Sequence, residues 1–170
     1  MNEATSGIAA LDRYQLDMEA QRGEVEFRHL GPIDARTIRR YALTVGETNA
    51  IHYDHKAARA AGYGDIVAPP NMLSAIHEWD TGPAESALQP DGTHRVADTE
   101  TLRVMGAGER LELLVPVIAG MMIMERRSIE AVERKEGKSG PLLFVTTMIE
   151  FSDHEGRVLN RNRRTLVALS

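Results

Sequence analysis

The chain has 170 residues, with 20 lysine and arginine residues against 25 aspartate and glutamate residues and a formal net charge of −5. This length suits one domain that buries a core without disulfide or metal cross-links. The absence of cysteine excludes a disulfide framework, a thiolate nucleophile and a cysteine-ligated metal. The acidic balance and the scarcity of aromatic residues argue against nucleic acid as a partner.

The sequence has no apolar run near the roughly 20 residues that a membrane-spanning helix needs. The first residues, MNEATSGIAALDRYQ, lack the cationic start and the long apolar region of a secretory signal. We therefore expect a soluble, cytoplasmic protein without membrane insertion.

The pattern of the first half of the chain predicts one strand and several helices. Residues 1–22 show little pattern beyond a weak helix, so we expect a mobile or partner-contacting arm before a single domain at 23–170. From Glu24, the segment EVEFRHL alternates polar and apolar residues, which predicts a strand half-buried through Val25 and Phe27 and ended by Gly31 and Pro32.

Three helices are expected next. Asp34 can cap the first, whose apolar face would comprise Ile38, Tyr41, Ala42 and Val45. A short Ala-rich helix at 54–61 is closed by Gly62. Pro69 and Pro70 are suited to begin a third, apolar helix that runs to Trp79, before a turn-rich loop at 81–96.

After this loop the apolar period changes to two residues, which predicts strands. The five candidates lie at 99–105, 109–117, 121–132, 142–151 and 158–169, separated by turns that contain glycine. Helices followed by a run of strands predict an α+β fold, with a long helix laid on an antiparallel sheet.

The chemistry-bearing stretch is VGETNAIHYDHKAARAAGYGDIVAPP, at 45–70. It sets Glu47 and His52 five residues apart in a turn between predicted helices. A carboxylate and an imidazole have pKa values that bracket neutrality, so a pair held near one water can move a proton on and off a substrate. This pattern is typical of a hydration or dehydration site, although a capping carboxylate and a solvated loop histidine are the alternative interpretations.

The order Glu47, Thr48, Asn49, Ala50, Ile51, His52 resembles the motif of the MaoC-like, (R)-specific enoyl-CoA hydratase family. With the block Ile66 to Pro70, it is similar to the FAS1-like dehydratase N-terminal branch and to hydroxyacyl-ACP dehydratase subunits. The resemblance covers most of the chain after about residue 24 and implies the hot-dog fold, an antiparallel sheet wrapped around a long central helix. It implies no cofactor, and no metal-ligand set is visible in the sequence.

The resemblance also implies roles for particular residues. Glu47, where the family usually has aspartate, and His52 would hold a water for addition to a trans-2-enoyl thioester or its loss from an (R)-3-hydroxyacyl thioester. The thioester carbonyl is polarised in the family by a backbone N–H group at the start of the central helix, and here the prolines leave Asn71 as the first donor. The candidate substrate-binding residues are Asn49, Val67, Ala68, Asn71, Met72 and Ile76.

Three alternatives stay open at this point. The chain is a self-sufficient hydratase or dehydratase, a non-catalytic substrate-binding subunit of a heteromeric MaoC-like dehydratase, or a hot-dog thioesterase that uses Glu78 on the central helix. The partners implied are an acyl thioester of coenzyme A or acyl carrier protein and a second MaoC-like chain, in a homodimer or heterodimer. Arg161, Arg163 and Arg164 suit either phosphate binding or a charged strand edge.

Overall fold

The computed structural model describes residues 3–76 and 102–169. Its first elements are helix α1 (Glu3–Ala20), strand β1 (Val25–Pro32), helix α2 (Ala35–Thr44), a 3-10 turn (Ala50–His52), helix α3 (His55–Ala60) and helix α4 (Met72–Ile76). The remaining strands are β2 (Arg103–Leu113), β3 (Met122–Gly137), β4 (Gly140–Ser152) and β5 (Val158–Leu169). The predicted order of helices before strands, and with it the α+β class, is confirmed.

The strands form one antiparallel sheet in the order β1-β3-β4-β5-β2. Strand β5 therefore lies inside the sheet, and the interpretation of its arginines as a charged edge is wrong. Arg161, Arg163 and Arg164 instead pair with glutamates on neighbouring parts of the sheet, Glu150, Glu130 and Glu109 respectively.

One strand replaces two of the predicted ones. The sequence predicts separate strands at 99–105 and 109–117, but β2 continues through this region, and its pairing with β5 shifts register between Gly106 and Gly108. A glycine inside a strand often marks a bulge rather than a turn, which is why the division was wrong. Residues 99–101 lie outside the described ranges, as do the predicted loop at 81–96 and the central helix beyond Ile76.

Strand β1 forms as predicted, but its apolar side chains are not buried. Phe27 is 66% exposed and Val25 is also exposed. Strand β1 is the outermost strand of the sheet, so only one neighbouring strand shelters its side chains.

Helix α1 occupies most of the segment that we expected to be an arm. Its Leu11 is fully buried in a cluster with Leu143, Val145 and Ala168, and its Asp12 forms an ion pair with Arg134 on β3. The segment is therefore a helix packed on the sheet, and the domain boundary drawn at residue 22 stays a prediction.

The main core joins the sheet to helices α2 and α4. Leu143, Val145, Ile149 and Phe151 alternate along β4 and so share one face of the sheet. The main core cluster consists of Ile33, Ile38, Tyr41, Ile66, Ala68, Met72, Leu73, Ile76, Val117, Ile123, Ile149, Phe151 and Leu159. Within the described ranges, no helix is long and apolar enough to cross a membrane.

Helix α2 begins as the sequence predicts. The Asp34 carboxylate accepts hydrogen bonds from the Arg36 and Thr37 backbone N–H groups, and Ile38, Tyr41 and Ala42 are buried. Val45 is exposed, contrary to the prediction, because it lies at the C-cap where the chain leaves the helix. The departure uses Gly46, whose φ of 74° is in the left-handed region that favours glycine.

Candidate active site

Glu47 follows Gly46 at the end of α2, and its backbone is held on both sides. Its N–H group donates to the Ala42 carbonyl at 2.9 Å, and its carbonyl accepts from the Tyr53 hydroxyl at 2.6 Å. The position of the Glu47 Cα is therefore fixed, while its carboxylate is free to face the site.

Asn49 shapes the turn that carries His52. Its Oδ1 atom accepts a hydrogen bond from the Ile51 N–H group at 3.2 Å and caps the 3-10 turn. The Asn49 side chain is exposed, and its role as a substrate contact stays a prediction.

His52 is oriented by one hydrogen bond. Its Nδ1 atom lies 2.7 Å from the Val67 carbonyl oxygen, and because a carbonyl only accepts, Nδ1 carries the proton. When the ring is neutral, this bond leaves Nε2 as the unprotonated nitrogen, and Nε2 lies 3.9 Å from Glu47 Oε2. The His52 side chain is 7% exposed and that of Glu47 is 39% exposed, so the pair sits at the boundary between the interior and solvent.

A polar network fixes the loop between Glu47 and Asp65. Arg39 of α2 donates through Nε to the Tyr53 carbonyl at 2.9 Å and through an Nη atom to His55 Nε2 at 3.1 Å. His55 Nδ1 in turn lies 2.5 Å from Asp65 Oδ1. The Ile66 N–H group, and then His55, lower the pKa of Asp65 and so favour its charged form.

Glu47 and His52 open into a cavity of about 360 Å³. Residues 67–70 and Leu73 form one part of its described lining, and residues 113–117 and Asn160 form another. The two parts are tied together where Ala68 N–H donates to the Val117 carbonyl at 2.8 Å and where Val67 pairs with Ile118 in an isolated bridge. Val67 and Ala68, two of the predicted substrate-binding residues, thus line the cavity.

The other predicted substrate-binding residues lie elsewhere. Met72 and Ile76 are part of the main core, and Asn71 is exposed. None of these three lines the cavity, which is reached instead by Leu73 from the same helix. Successive residues of α4 point in different directions, so Leu73, which also belongs to the main core, lines the cavity and Met72 does not.

Sequence reasoning missed Asn160, a buried residue of β5 that lines the same cavity. The sequence did contain a signal for this residue. Asparagine is uncommon in strands and mostly exposed, yet Asn160 interrupts the apolar pattern of a predicted strand.

Within the described ranges no group of histidine, aspartate and glutamate side chains is arranged to hold a metal ion. His52, Asp54 and His55 lie close together in the sequence, but each makes a different contact. His52 bonds Val67, Asp54 caps α3 through the Lys56 and Ala57 N–H groups, and His55 bonds Asp65. His77 and Glu78 lie outside the described residues.

The model of the family described as "FAS1-like, dehydratase domain region" matches residues 27–161. The chain belongs to this family. The matched range includes Glu47, His52 and Asn160, and the expected MaoC-like relationship is confirmed.

Three similar proteins illustrate the relationship. A probable enoyl-CoA hydratase alpha subunit of Thermomonospora curvata is 25% identical over 145 residues, which are 80% of this chain but only 44% of that protein. A UPF0336 protein of a Parafrankia strain is 30% identical over 131 residues, covering 77% of this chain and 80% of the relative.

The third is a solved structure, the C-terminally truncated HadBC (3R-hydroxyacyl-ACP dehydratase) complex from Mycobacterium tuberculosis. It is 18% identical, with a TM-score of 0.62, and the match covers 86% of this chain and 96% of that chain. At this identity the similarity shows the fold, and this member of the family has the predicted hot-dog fold.

Proposed function

We propose that the protein is a hydro-lyase that interconverts trans-2-enoyl and (R)-3-hydroxyacyl thioesters of coenzyme A or acyl carrier protein. The observation that carries this proposal is the pairing of His52 Nε2 with Glu47 Oε2 at 3.9 Å in a cavity lined mainly by apolar side chains. The Thermomonospora curvata relative and the Mycobacterium tuberculosis complex, by their names, support the same reaction class.

The separation of the pair suits one bound water. A direct hydrogen bond needs about 2.7–3.2 Å, so the two atoms are too far apart to satisfy each other fully but close enough to contact a common oxygen. The Val67 carbonyl holds the Nδ1 proton, which leaves Nε2 as an acceptor facing the carboxylate. Both groups can then accept a proton from the same water.

In the hydration direction the water oxygen bonds to the β-carbon of the enoyl group. One water proton stays on the new hydroxyl, and the other passes through the pair to the α-carbon, so that no cofactor or co-reactant is consumed. Dehydration is the reverse, and such positioned proton transfer typically contributes about 100-fold to 10,000-fold in rate.

The remaining lining suits an acyl chain. Val67, Leu73, Leu113, Val115 and Val117 present aliphatic side chains to the cavity. Its volume of about 360 Å³ lies within the ordinary range of small-molecule sites. The substrate's reacting carbons would lie at the polar end, beside Glu47 and His52.

The test follows both the stereochemistry and the origin of the oxygen. The purified protein is incubated with crotonyl-CoA in water enriched in ¹⁸O, and the product is separated on a chiral column. We expect (R)-3-hydroxybutyryl-CoA with one ¹⁸O in its hydroxyl group, formed by the wild type and not by His52→Ala. A free acid and a thiol in place of the hydroxyacyl thioester would replace this proposal with the thioesterase alternative, for which Glu78 stays the predicted residue.

One observation favours a second candidate, a subunit that needs a partner chain. Leu113 and Leu114 line the cavity, yet they are 54% and 50% exposed and lie at the end of the outermost strand β2. A second MaoC-like chain placed there, in a homodimer or heterodimer, would cover them and complete the cavity. The HadBC complex supports such an assembly, and activity that appears only when a co-purifying chain is present would select this candidate.

A cytoplasmic location remains part of the proposal, since coenzyme A and acyl carrier protein thioesters are intracellular substrates.

A further inference from the structure

Asn160 is a buried amide for which the fold has no evident use. It is 2% exposed, and its Oδ1 atom has no hydrogen-bond partner in the described part of the protein. Buried polar atoms are nearly always paired, because an unpaired one lowers the stability of the fold. The amide also lines the cavity that holds Glu47 and His52, which points to a ligand as its reason for being there.

A β-bulge presents Asn160 to the cavity. On β4, Phe151 pairs with Asn160 and Ser152 pairs with Val158, so Leu159 is an extra residue on β5. The Leu159 carbonyl accepts from both the Leu114 and the Val115 N–H groups, while its side chain enters the main core. Bulges of this kind commonly redirect a side chain beside a functional site.

The neighbouring backbone offers few hydrogen-bond donors to the cavity. The Val67 and Ala68 N–H groups already donate to the Ile51 and Val117 carbonyls. Pro69, Pro70 and Pro116, which also line the cavity, have no N–H group at all. The Asn160 side chain therefore provides a hydrogen-bond donor group in a lining where these stretches of backbone provide none.

We propose that the Asn160 amide is a catalytic residue that donates a hydrogen bond from Nδ2 to the carbonyl oxygen of the bound acyl thioester. Rotation about the Cβ–Cγ bond exchanges the two ends of the amide, so Nδ2 takes the position of the unpaired Oδ1 when the thioester is bound. This inference rests on the proposed function. As the water oxygen bonds to the β-carbon, the electrons of the double bond move towards the thioester carbonyl, whose oxygen gains negative charge. Protonation of the α-carbon restores the carbonyl. The Asn160 donor stabilises the charge between these two events.

A structural role for Asn160 makes the opposite prediction about stability. Leucine has nearly the same shape and no unpaired polar atom, so we expect Asn160→Leu to fold with a Tm equal to or above that of the wild type. If the amide supports the fold, the same substitution lowers Tm.

The direct test is infrared spectroscopy of butyryl-CoA labelled with ¹³C at its carbonyl. This saturated thioester cannot be hydrated, so the signal does not depend on turnover. We expect the carbonyl stretch to move to lower frequency on binding the wild type, and this shift to disappear in Asn160→Leu. The matched control is Asn162→Leu, a buried asparagine on the same strand that does not line the cavity, and it should retain the shift.

Kinetics separate this inference from the proposed function. If the wild type hydrates crotonyl-CoA, we expect Asn160→Leu to lower kcat by about 100-fold or more with a smaller change in KM. If Asn160→Leu keeps the wild-type kcat or the carbonyl shift, the role of Asn160 is wrong but the proposed reaction is not affected. A wild type that does not bind butyryl-CoA also contradicts the role of Asn160. An Asn160-dependent shift in a protein without hydratase activity overturns only the proposed reaction.

Discussion

His52 serves the fold through one ring nitrogen and the proposed chemistry through the other. The Nδ1 proton bonds the Val67 carbonyl at 2.7 Å, and Nε2 faces Glu47. Asparagine can place a side-chain N–H near the position of Nδ1 but has nothing at the position of Nε2. We therefore expect His52→Asn to keep a Tm close to that of the wild type and to lose about 100-fold to 10,000-fold in kcat.

The companion variant is His52→Ala, which loses both contacts and should fall in Tm as well as in rate. Thermal unfolding and crotonyl-CoA hydration are measured on the same preparations. Full activity in the correctly folded His52→Asn protein would remove His52 from the proton transfer.

The length of the Glu47 side chain is matched to its anchored backbone. Because its N–H and carbonyl groups are both bonded, the main chain cannot move to compensate for a shorter side chain. Glu47→Asp withdraws the carboxylate from His52 by about one bond length, and such a displacement can cost on the order of 100-fold in rate. We expect this loss in kcat despite the family's usual aspartate.

The control is Glu133→Asp on β3. Glu133 is an exposed glutamate that pairs with Lys135 and does not line the cavity, so the rate of this variant should equal that of the wild type. A Glu47→Asp protein as fast as the wild type would show that the loop adjusts, contrary to the anchoring described above.

At the scale of elements, the cap of helix α3 makes the stability of the site loop dependent on pH. The Ala57 and Lys56 N–H groups lower the pKa of the Asp54 carboxyl from its ordinary value of 3.8. A lowered folded-state pKa means that the stabilisation is complete above 3.8 and is lost as the pH falls through the folded-state value. We expect Asp54→Ala to lower Tm at pH 7, and this difference from the wild type to shrink below pH 3.8.

Asp54→Asn provides the comparison, because asparagine also caps helices but does not titrate. It should keep most of the wild-type Tm at pH 7. A Tm difference between wild type and Asp54→Ala that is unchanged across the acid range would contradict a charged cap.

The elements that sequence reasoning predicts well are those with local causes. Asp34 and Asp54 cap their helices through bonds to residues two and three positions along, and Gly46 and Gly62 lie just beyond the C-caps with positive φ. Both partners of each of these interactions lie within a few residues of each other in the sequence. The motif pair is similarly local, since one short turn brings Glu47 and His52 together.

Features set by distant pairing are harder to predict. The continuity of β2 through Gly106 depends on β5, and the exposure of Phe27 depends on the position of β1 at the edge of the sheet. Asn160 reaches the cavity through a bulge defined against β4. Likewise, the choice between Leu73 and Met72 as the cavity-facing residue depends on what packs against each side of α4.

At the scale of the whole molecule, helix α1 acts as part of the folded unit through Leu11. This side chain is fully buried against Leu143, Val145 and Ala168. Leu11→Ala should reduce the free energy of unfolding by about 2–5 kcal/mol in urea titrations. Leu16→Ala changes an exposed leucine of the same helix and should leave this free energy nearly unchanged. Equal small effects would show that α1 is detached from the sheet in solution.

The measurement that tests the central claim most directly is the loss of enoyl-thioester absorbance when the purified chain alone is mixed with crotonyl-CoA and longer trans-2-enoyl-CoAs. The proposed function predicts rapid loss that His52→Asn abolishes while its Tm is retained. No loss at any chain length would contradict a self-sufficient hydratase, and a loss equally fast in His52→Asn would contradict the role given to the Glu47 and His52 pair.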